Sequence, residues 1–470
     1  MAWRDRRHPA RRRRLWLRPL LPGSGTRQDR RRTAARGKKP PLASRPGTGA
    51  IAGPPARRDV IPIRPVGAPP APSRKGIPLS ITPNASGLAA PPPLALYVHW
   101  PWCVRKCPYC DFNSHESRGD TDEAAYLAAL IADLEAALPQ VWNRPVGSVF
   151  IGGGTPSLMS AATADALLAA IRMRLPLHPD AEITLEANPG TAEAGKFAAF
   201  RAAGVTRLSL GVQSFDDAKL AVLGRIHDAD EARHAIDLAL RHFERVNIDL
   251  MYALPRQSLE EAGRDIATGI ASGVGHISAY HLTLEPNTAF HHAPPPLPDD
   301  DLAADMQEQT EEGLVAAGFE HYETSAFARP GQRCRHNLNY WTFGDYLGIG
   351  AGAHGKLSNH ERIWRETRRR HPLAYLDSAS RGEFIATRQD IAPHDLPGEF
   401  MMNALRLNEG VPASLFVERT GLPLARIEES ALAARRDGLL EASQGRLRPT
   451  PRGRRFLNRL LALFLENSVT

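Results

Sequence analysis

The sequence predicts an α/β fold, an open parallel sheet or partial barrel, followed by a small helical module and preceded by a basic tail. Three observations carry this. Between residues 94 and 284 apolar, β-rich runs alternate strictly with runs of helical spacing, which implies parallel pairing through crossover helices. The residues with suggestive chemistry fall just after the strand-like runs, where ligands of such sheets gather. Charge is divided unevenly: residues 1–90 hold 21 Lys+Arg against three Asp, a charge of +18, and the remainder holds 38 basic and 48 acidic side chains, a charge of −10.

The tail, Met1 to about Pro93, is rich in Arg, Pro, Gly and Ala and shows no sustained period of 2 or 3.6. Such a chain buries too little apolar surface to offset its ordering entropy, and residues 1–93 read as a disordered extension. The only early apolar run, Leu15 to Leu21, is interrupted by Arg18 and Pro19 and does not suit a secretory signal. An Arg-rich, acid-poor composition is also that of an organelle transit peptide or of a nucleic-acid contact through Arg11 to Arg14. A linker-like extension is the simpler reading. The overall net charge of +8 therefore says nothing of the acidic body.

The expected strands are Leu94–Trp100, Val146–Ile151, Glu182–Ala187, Arg207–Val212, Arg245–Leu254 and His276–Leu284. Between them the helical segments are Asp122–Leu138, Ala161–Arg174, Thr191–Ala203, Asp228–Phe243 and Leu259–Ser272. No run of eighteen apolar residues occurs, so no membrane-spanning helix is expected.

After the first strand comes Cys103-Val-Arg-Lys-Cys107-Pro-Tyr-Cys110. Three of the chain's four Cys fall within eight residues, a spacing for metal ligands and not for a disulfide framework, which points to a reducing, cytoplasmic setting. Soft thiolates select zinc, copper(I) or iron–sulfur clusters. Structural zinc wants four closed ligands, whereas three thiolates and an open position suit a 4Fe–4S cluster with one iron free. The second strand ends in Gly152-Gly153-Gly154-Thr155-Pro156-Ser157, which lets backbone approach a ligand and is neither a Walker loop nor a dinucleotide fingerprint. Glu186, Gln213 and Asp249 stand at the ends of the third, fourth and fifth strands, and polar residues at successive strand ends around one Cys loop suggest a site.

These segments, with Tyr97-Val-His-Trp-Pro-Trp-Cys103, Leu-Glu186-Ala-Asn-Pro, Leu-Gly-Val-Gln213-Ser-Phe and Asn-Ile-Asp249-Leu-Met-Tyr-Ala-Leu-Pro, resemble radical S-adenosylmethionine (SAM) proteins of the oxygen-independent coproporphyrinogen oxidase group, from about Leu94 to the end. The resemblance implies a radical SAM partial (β/α)6 barrel over 94–330. It makes Cys103, Cys107 and Cys110 the 4Fe–4S ligands, with SAM on the open iron by its amine and carboxylate. Gly153, Gly154 and Thr155 match positions at the methionine part; Glu186, Gln213, Arg225 and Asp249 match further SAM contacts, with Tyr97 and Tyr109 beside it. It also implies an electron donor for the cluster and a 5′-deoxyadenosyl radical.

The true oxidases resemble CxxxCxxCxC, with a further Cys where this chain has Phe112. The haem-binding branch, the HemW haem chaperones, has CxxxCxxCxF and an HNxxYW motif, here His336-Asn337-Leu338-Asn339-Tyr340-Trp341. Both features point to that branch, so a chaperone passing haem to an acceptor protein is expected and coproporphyrinogen oxidase activity is not. Imidazole ligates haem iron and aromatics offer a flat apolar surface to a porphyrin, so His336, Asn337, Tyr340 and Trp341 are the haem candidates, with Cys334 a second thiolate. The oxidase and a nucleic-acid-reading module are the alternatives.

Residues 331–394 read as the haem-motif and connecting region. Within it Gly348-Ile-Gly350-Ala-Gly352-Ala-His354-Gly355 looks dinucleotide-like but follows no clear strand inside a βαβ unit and has no acid at the expected distance, and it reads as a close-packed loop near the site. Residues 395–470 read as short helices, a Gly445-Arg-Leu-Arg-Pro-Thr-Pro-Arg-Gly453 segment and a last apolar helix, a winged-helix-like module that serves as a lid or packing domain in the resembled family; nucleic-acid binding is not expected of it.

Overall fold

The structure, a computed structural model, describes residues 87–465 apart from 118–121, 192–193 and 444. Six strands run parallel in the order of the chain: β1 (Leu94–Trp100), β2 (Val146–Gly153), β3 (Leu177–Ala187), β4 (Arg207–Gln213), β5 (Arg245–Tyr252) and β6 (His276–His281). Helices α1 (Glu123–Ala137), α2 (Ala161–Arg174), α3 (Ala194–Ala203), α4 (Ala229–His242) and α5 (Leu259–Ala271) connect them. Their starts are set by local chemistry. Asp122 and Ser160 accept the Ala125 and Thr163 amides, while Asp228 with Glu231 and Ser258 with Glu261 form reciprocal capping boxes.

The sheet is wider than six strands. Beyond β6, helix α6 (Asp300–Ala316) leads into β7 (Glu320–Glu323) and β8 (Ala326–Ala328), with β8 antiparallel to β6. On the other side β9 (Asp345–Ile349) lies parallel to β1, and β10 (His354–Ser358), β11 (Ile363–Arg368) and β12 (Ile385–Asp390) continue antiparallel. The twelve strands lie in the order β12-β11-β10-β9-β1-β2-β3-β4-β5-β6-β8-β7, so the sheet stays open between its two outer strands.

Two corrections follow. Gly348 belongs to β9 and His354 and Gly355 to β10, so only the Gly350–Gly352 turn between these antiparallel strands is the loop expected there, and it lies in no βαβ unit. The strand was hidden because Asp345-Tyr-Leu-Gly-Ile is short, buried throughout and therefore without alternation. Residues 1–86 of the expected extension lie outside the described residues. Its end does not behave as an extension: Leu88 is buried in the C-terminal core and its carbonyl accepts from His360 Nδ1 at 2.8 Å.

Alternation in the parallel strands decides where the core sits. Along β4, Leu208, Leu210 and Val212 point outward into an apolar layer shared with the helices, where Leu134, Leu168, Phe197 and Ile236 are buried. Arg207, Ser209, Gly211 and Gln213 point inward with Asn247 and Asp249 of β5 and Ser278 of β6. The lumen is thus polar where an ordinary parallel barrel packs branched aliphatics. A second core joins Trp341 and Phe343 to the C-terminal helices α8 (Leu396–Ala404), α9 (Ala413–Thr420), α10 (Ala425–Arg436) and α11 (Leu457–Leu465), with a small Val411–Pro412 to Arg446–Leu447 ribbon, as a winged-helix-like module requires.

Candidate cofactor and ligand site

The Cys loop is fixed by its flanks. Trp102–Cys103 pairs with His115–Glu116, the Ser114 amide meets the Phe112 carbonyl at 2.7 Å, and Asn113 Nδ2 donates to the carbonyls of Ala351 and Arg370 at 2.9 and 2.8 Å. His99 Nε2 holds the Asn113 carbonyl at 2.9 Å. The Gly run is stapled to the same segment, with the Gly154 and Thr155 amides donating to the Trp100 and Trp102 carbonyls at 2.7 Å each. Gly153 has φ +122° and a Cβ there would stand 2.7 Å from the Trp100 oxygen, while one on Gly154 would stand 2.5 Å from the Trp102 oxygen. Only glycine permits this approach.

These elements open onto one cavity of about 340 Å³. Cys103, Cys107, Cys110, Tyr109, Gly153, Gly154, Thr155, Glu186, Gln213, Arg225 and Asp249 all line it. Gln213 has φ +71°, a strained backbone at a β-bulge that ends the strand at the site. Tyr97 does not line the cavity: its hydroxyl meets His99 Nδ1 at 2.8 Å and its ring stacks on Phe150, which does.

The electrostatics suit a ligand carrying both signs. Arg225 Nη2 donates to Asn188 Oδ1 and the Gly211 carbonyl at 2.5 and 2.6 Å, and Nη1 lies 3.6 Å from Cys107 Sγ. Its Nε is buried without a hydrogen-bond partner, a position left for a carboxylate. Asn188 also donates to Thr155 Oγ1 at 2.8 Å, so it links the Gly run to the Arg. Glu186 accepts from the Gly153 amide at 3.1 Å; burial and the nearby Asp249 push its carboxyl up to about 8. Burial raises Asp249 as well, against bonds from Asn247 and Ser209 at 3.0 and 3.5 Å. Burial disfavours the charged form of both carboxyls, and a cationic ligand group beside them would favour it.

Burial likewise pushes the Cys103 thiol up to about 11, so an electropositive body is needed to hold it as thiolate. The three thiols, the orphaned Arg225 Nε and the paired carboxyls fit a 4Fe–4S cluster and a zwitterionic sulfonium ligand.

The HNxxYW helix α7 (Arg335–Trp341) forms the floor of the cavity, with Asn337, Tyr340 and Trp341 lining it. Glu182 of β3, 2% exposed, caps this helix by accepting the Arg335 and His336 amides at 2.9 and 3.3 Å and pairing with Arg245 at 3.0 Å. His336 does not face the cavity. It is 1% exposed, with Nδ1 on Ser148 Oγ and Nε2 on the Tyr340 hydroxyl, both at 3.0 Å, so neither nitrogen is open to iron in this conformation. Burial lowers its pKa to about 3, so it is neutral. Cys334 is fully buried, its thiol pushed up to about 12 and donating to Glu182 Oε1 at 3.6 Å; it lies outside the cavity and packs as an inert thiol.

Sequence reasoning missed Asn113, Asn188, Arg207, Ser209, Asn247, Ser278, Glu323 and Arg406. Period-2 alternation in Arg207-Leu-Ser-Leu-Gly-Val-Gln213 marks Arg207 as inward; nothing local marks Arg406, which reaches the cavity from the C-terminal module.

A model of the radical SAM superfamily matches residues 97–267 and one of the HemN C-terminal domain matches 391–456. The chain is similar to the heme chaperone HemW of Escherichia coli (strain K12), 49% identical over 379 residues that cover 80% of this chain and 98% of the relative. It is similar to HemW of Mycobacterium tuberculosis (strain H37Rv), 38% identical over 78% of this chain and 94% of the relative. The Bos taurus radical S-adenosyl methionine domain-containing protein 1, mitochondrial, is 45% identical over 56% of this chain and 60% of its own. Among solved structures, the coproporphyrinogen III oxidase HemN of Escherichia coli superposes with a TM-score of 0.69 at 23% identity over 81% of this chain and 92% of its own, a likeness of fold.

Proposed function

We propose, for a chain that belongs to the HemW family of radical SAM proteins, that it is a haem chaperone: it binds a 4Fe–4S cluster, SAM and haem, and hands the haem to an acceptor protein. The observation that carries this reading is that the Cys loop, the SAM-matching residues and the HNxxYW helix line one cavity. Phe112, half exposed at the mouth where the oxidases have a further Cys, supports cargo handling over oxidative decarboxylation.

Cys103, Cys107 and Cys110 would hold the cluster; Arg225 would take the SAM carboxylate; Glu186 and Asp249 would take its cationic and hydroxyl groups; Gly153, Gly154 and Thr155 would line the methionine part, with Gln213 and Tyr109 beside them and Tyr97 supporting the wall. When bound, cluster and SAM supply one-electron chemistry at the sulfonium, fed by an electron donor. Haem would meet Asn337, Tyr340 and Trp341 at the floor; ligation by His336 requires its bonds to Ser148 and Tyr340 to open. Four free cysteines support a reducing, cytoplasmic setting, and among the described residues no helix is long and apolar enough to cross a membrane.

Anaerobic reconstitution followed by haem titration and a decarboxylation assay tests the reading. The expected result is a Soret shift without conversion of coproporphyrinogen; conversion without haem binding would make the chain an oxidase instead.

A further inference from the structure

Inside the barrel, deeper than the cluster and SAM residues, stands a guanidinium with no assigned work. Arg207, the first residue of β4, is 2% exposed and lines the cavity. Among the described residues it has neither a hydrogen bond nor an ion pair. The acids in its field, Glu182, Asp249 and Glu186, lie beyond ion-pair distance and have other partners, Glu182 in Arg245 and the α7 amides, Asp249 in Asn247 and Ser209, Glu186 in the Gly153 amide. A guanidinium that opens on an enclosed cavity with no carboxylate bonded to it is a seat for an anionic ligand. Among the described residues the other buried guanidinium groups are paired, Arg368 with Asp133 and Glu366 and Arg406 with Glu323.

The surroundings define the missing partner. Arg225 already offers its free nitrogen at the cluster end to the SAM carboxylate, so a second anion must come from a second ligand. Around Arg207 the same cavity shows Phe150, Tyr340 and Trp341, a flat apolar lining. A carboxylate carried on a planar apolar body matches this combination of donor and wall. The geometry points to Arg207 as the anchor for a propionate carboxylate of the tetrapyrrole cargo, with the macrocycle edge against Tyr340 and Trp341. This rests on the haem-chaperone reading, and it separates the seat of the propionate from the question of which residue ligates iron.

The test is a titration of the full-length, cluster-reconstituted protein with ferric haem and with haem dimethyl ester, followed by the Soret band. The intact protein is expected to bind the free acid about tenfold or more tightly than the ester, as for a lost charge-assisted bond. Arg207→Gln should abolish that preference by weakening only the free acid, and Arg207→Lys should restore part of it. Equal binding of acid and ester by the intact protein overturns the inference without recourse to any variant, as does a preference that survives in Arg207→Gln. Failure of the intact protein to bind either porphyrin overturns the haem-chaperone reading itself and this inference with it.

Discussion

Single residues at the site carry measurable consequences. Cys107→Ala should remove the broad charge-transfer band at the blue end of the visible from anaerobically reconstituted protein, and a zinc-only metal analysis of the intact protein would refute the cluster. Gly154→Ala would drive a Cβ to 2.5 Å from the Trp102 carbonyl, backbone against backbone, so the Gly run must lift from the Cys segment. Loss of SAM binding by calorimetry is the expected outcome. Glu186 gives a pH signature. In the ligand-free fold its carboxyl holds a proton to about 8, against 4.5 ordinarily. The fold therefore binds more protons than the unfolded chain between these values, and the group's contribution to stability falls as pH rises through that window. A urea midpoint series should show a smaller loss in Glu186→Gln, and SAM binding to the intact protein should release a proton near neutral pH. Glu186 at a strand end was legible in the sequence; its coupling to Asp249 was not, because the register of β3, β4 and β5 creates it.

At the scale of elements, α7 depends on one buried carboxylate from another part of the chain. Glu182 accepts its first amides and answers Arg245, so Glu182→Ala should cost roughly 3–5 kcal/mol in denaturant unfolding, the usual loss when a buried pair is broken. His336→Ala should also lower stability, since both ring nitrogens are bonded, and weaken the Soret shift by releasing the Tyr340 hydroxyl; an unchanged titration would remove the helix from the haem site. The motif was legible as a string of residues with haem-compatible chemistry. That His336 faces Ser148 and Phe150 of β2 instead of the cavity follows from packing across nearly 190 residues of sequence.

Across the whole molecule, the C-terminal module is joined to the barrel through the cavity wall. Arg406 pairs with Glu323 at 3.1 Å, lies 4.3 Å over the Trp341 ring and lines the cavity, while its carbonyl accepts from the Thr324 amide at 3.1 Å. Trp341, Phe343 and Leu88 share one core with Phe400 and Phe416. A chain ending at residue 395 would expose that core, and it should fail to unfold cooperatively and aggregate; a soluble, cooperative product would show the barrel to be independent. Arg406→Ala should cost about 3–5 kcal/mol by leaving the buried Glu323 carboxylate with its Ser325 bonds but no counter-charge.

From sequence alone came the six parallel strands, their five connecting helices and the thiol loop, since alternation, capping residues and glycine runs act within a few residues of chain and need no partner to be read. The six outer strands, the floor built by α7, the reach of Arg406 and the unpaired Arg207 were decided by tertiary structure. Each depends on which distant side chains end up sharing an enclosed, low-dielectric space, and the free energy of that sharing is absent from any local stretch of the chain.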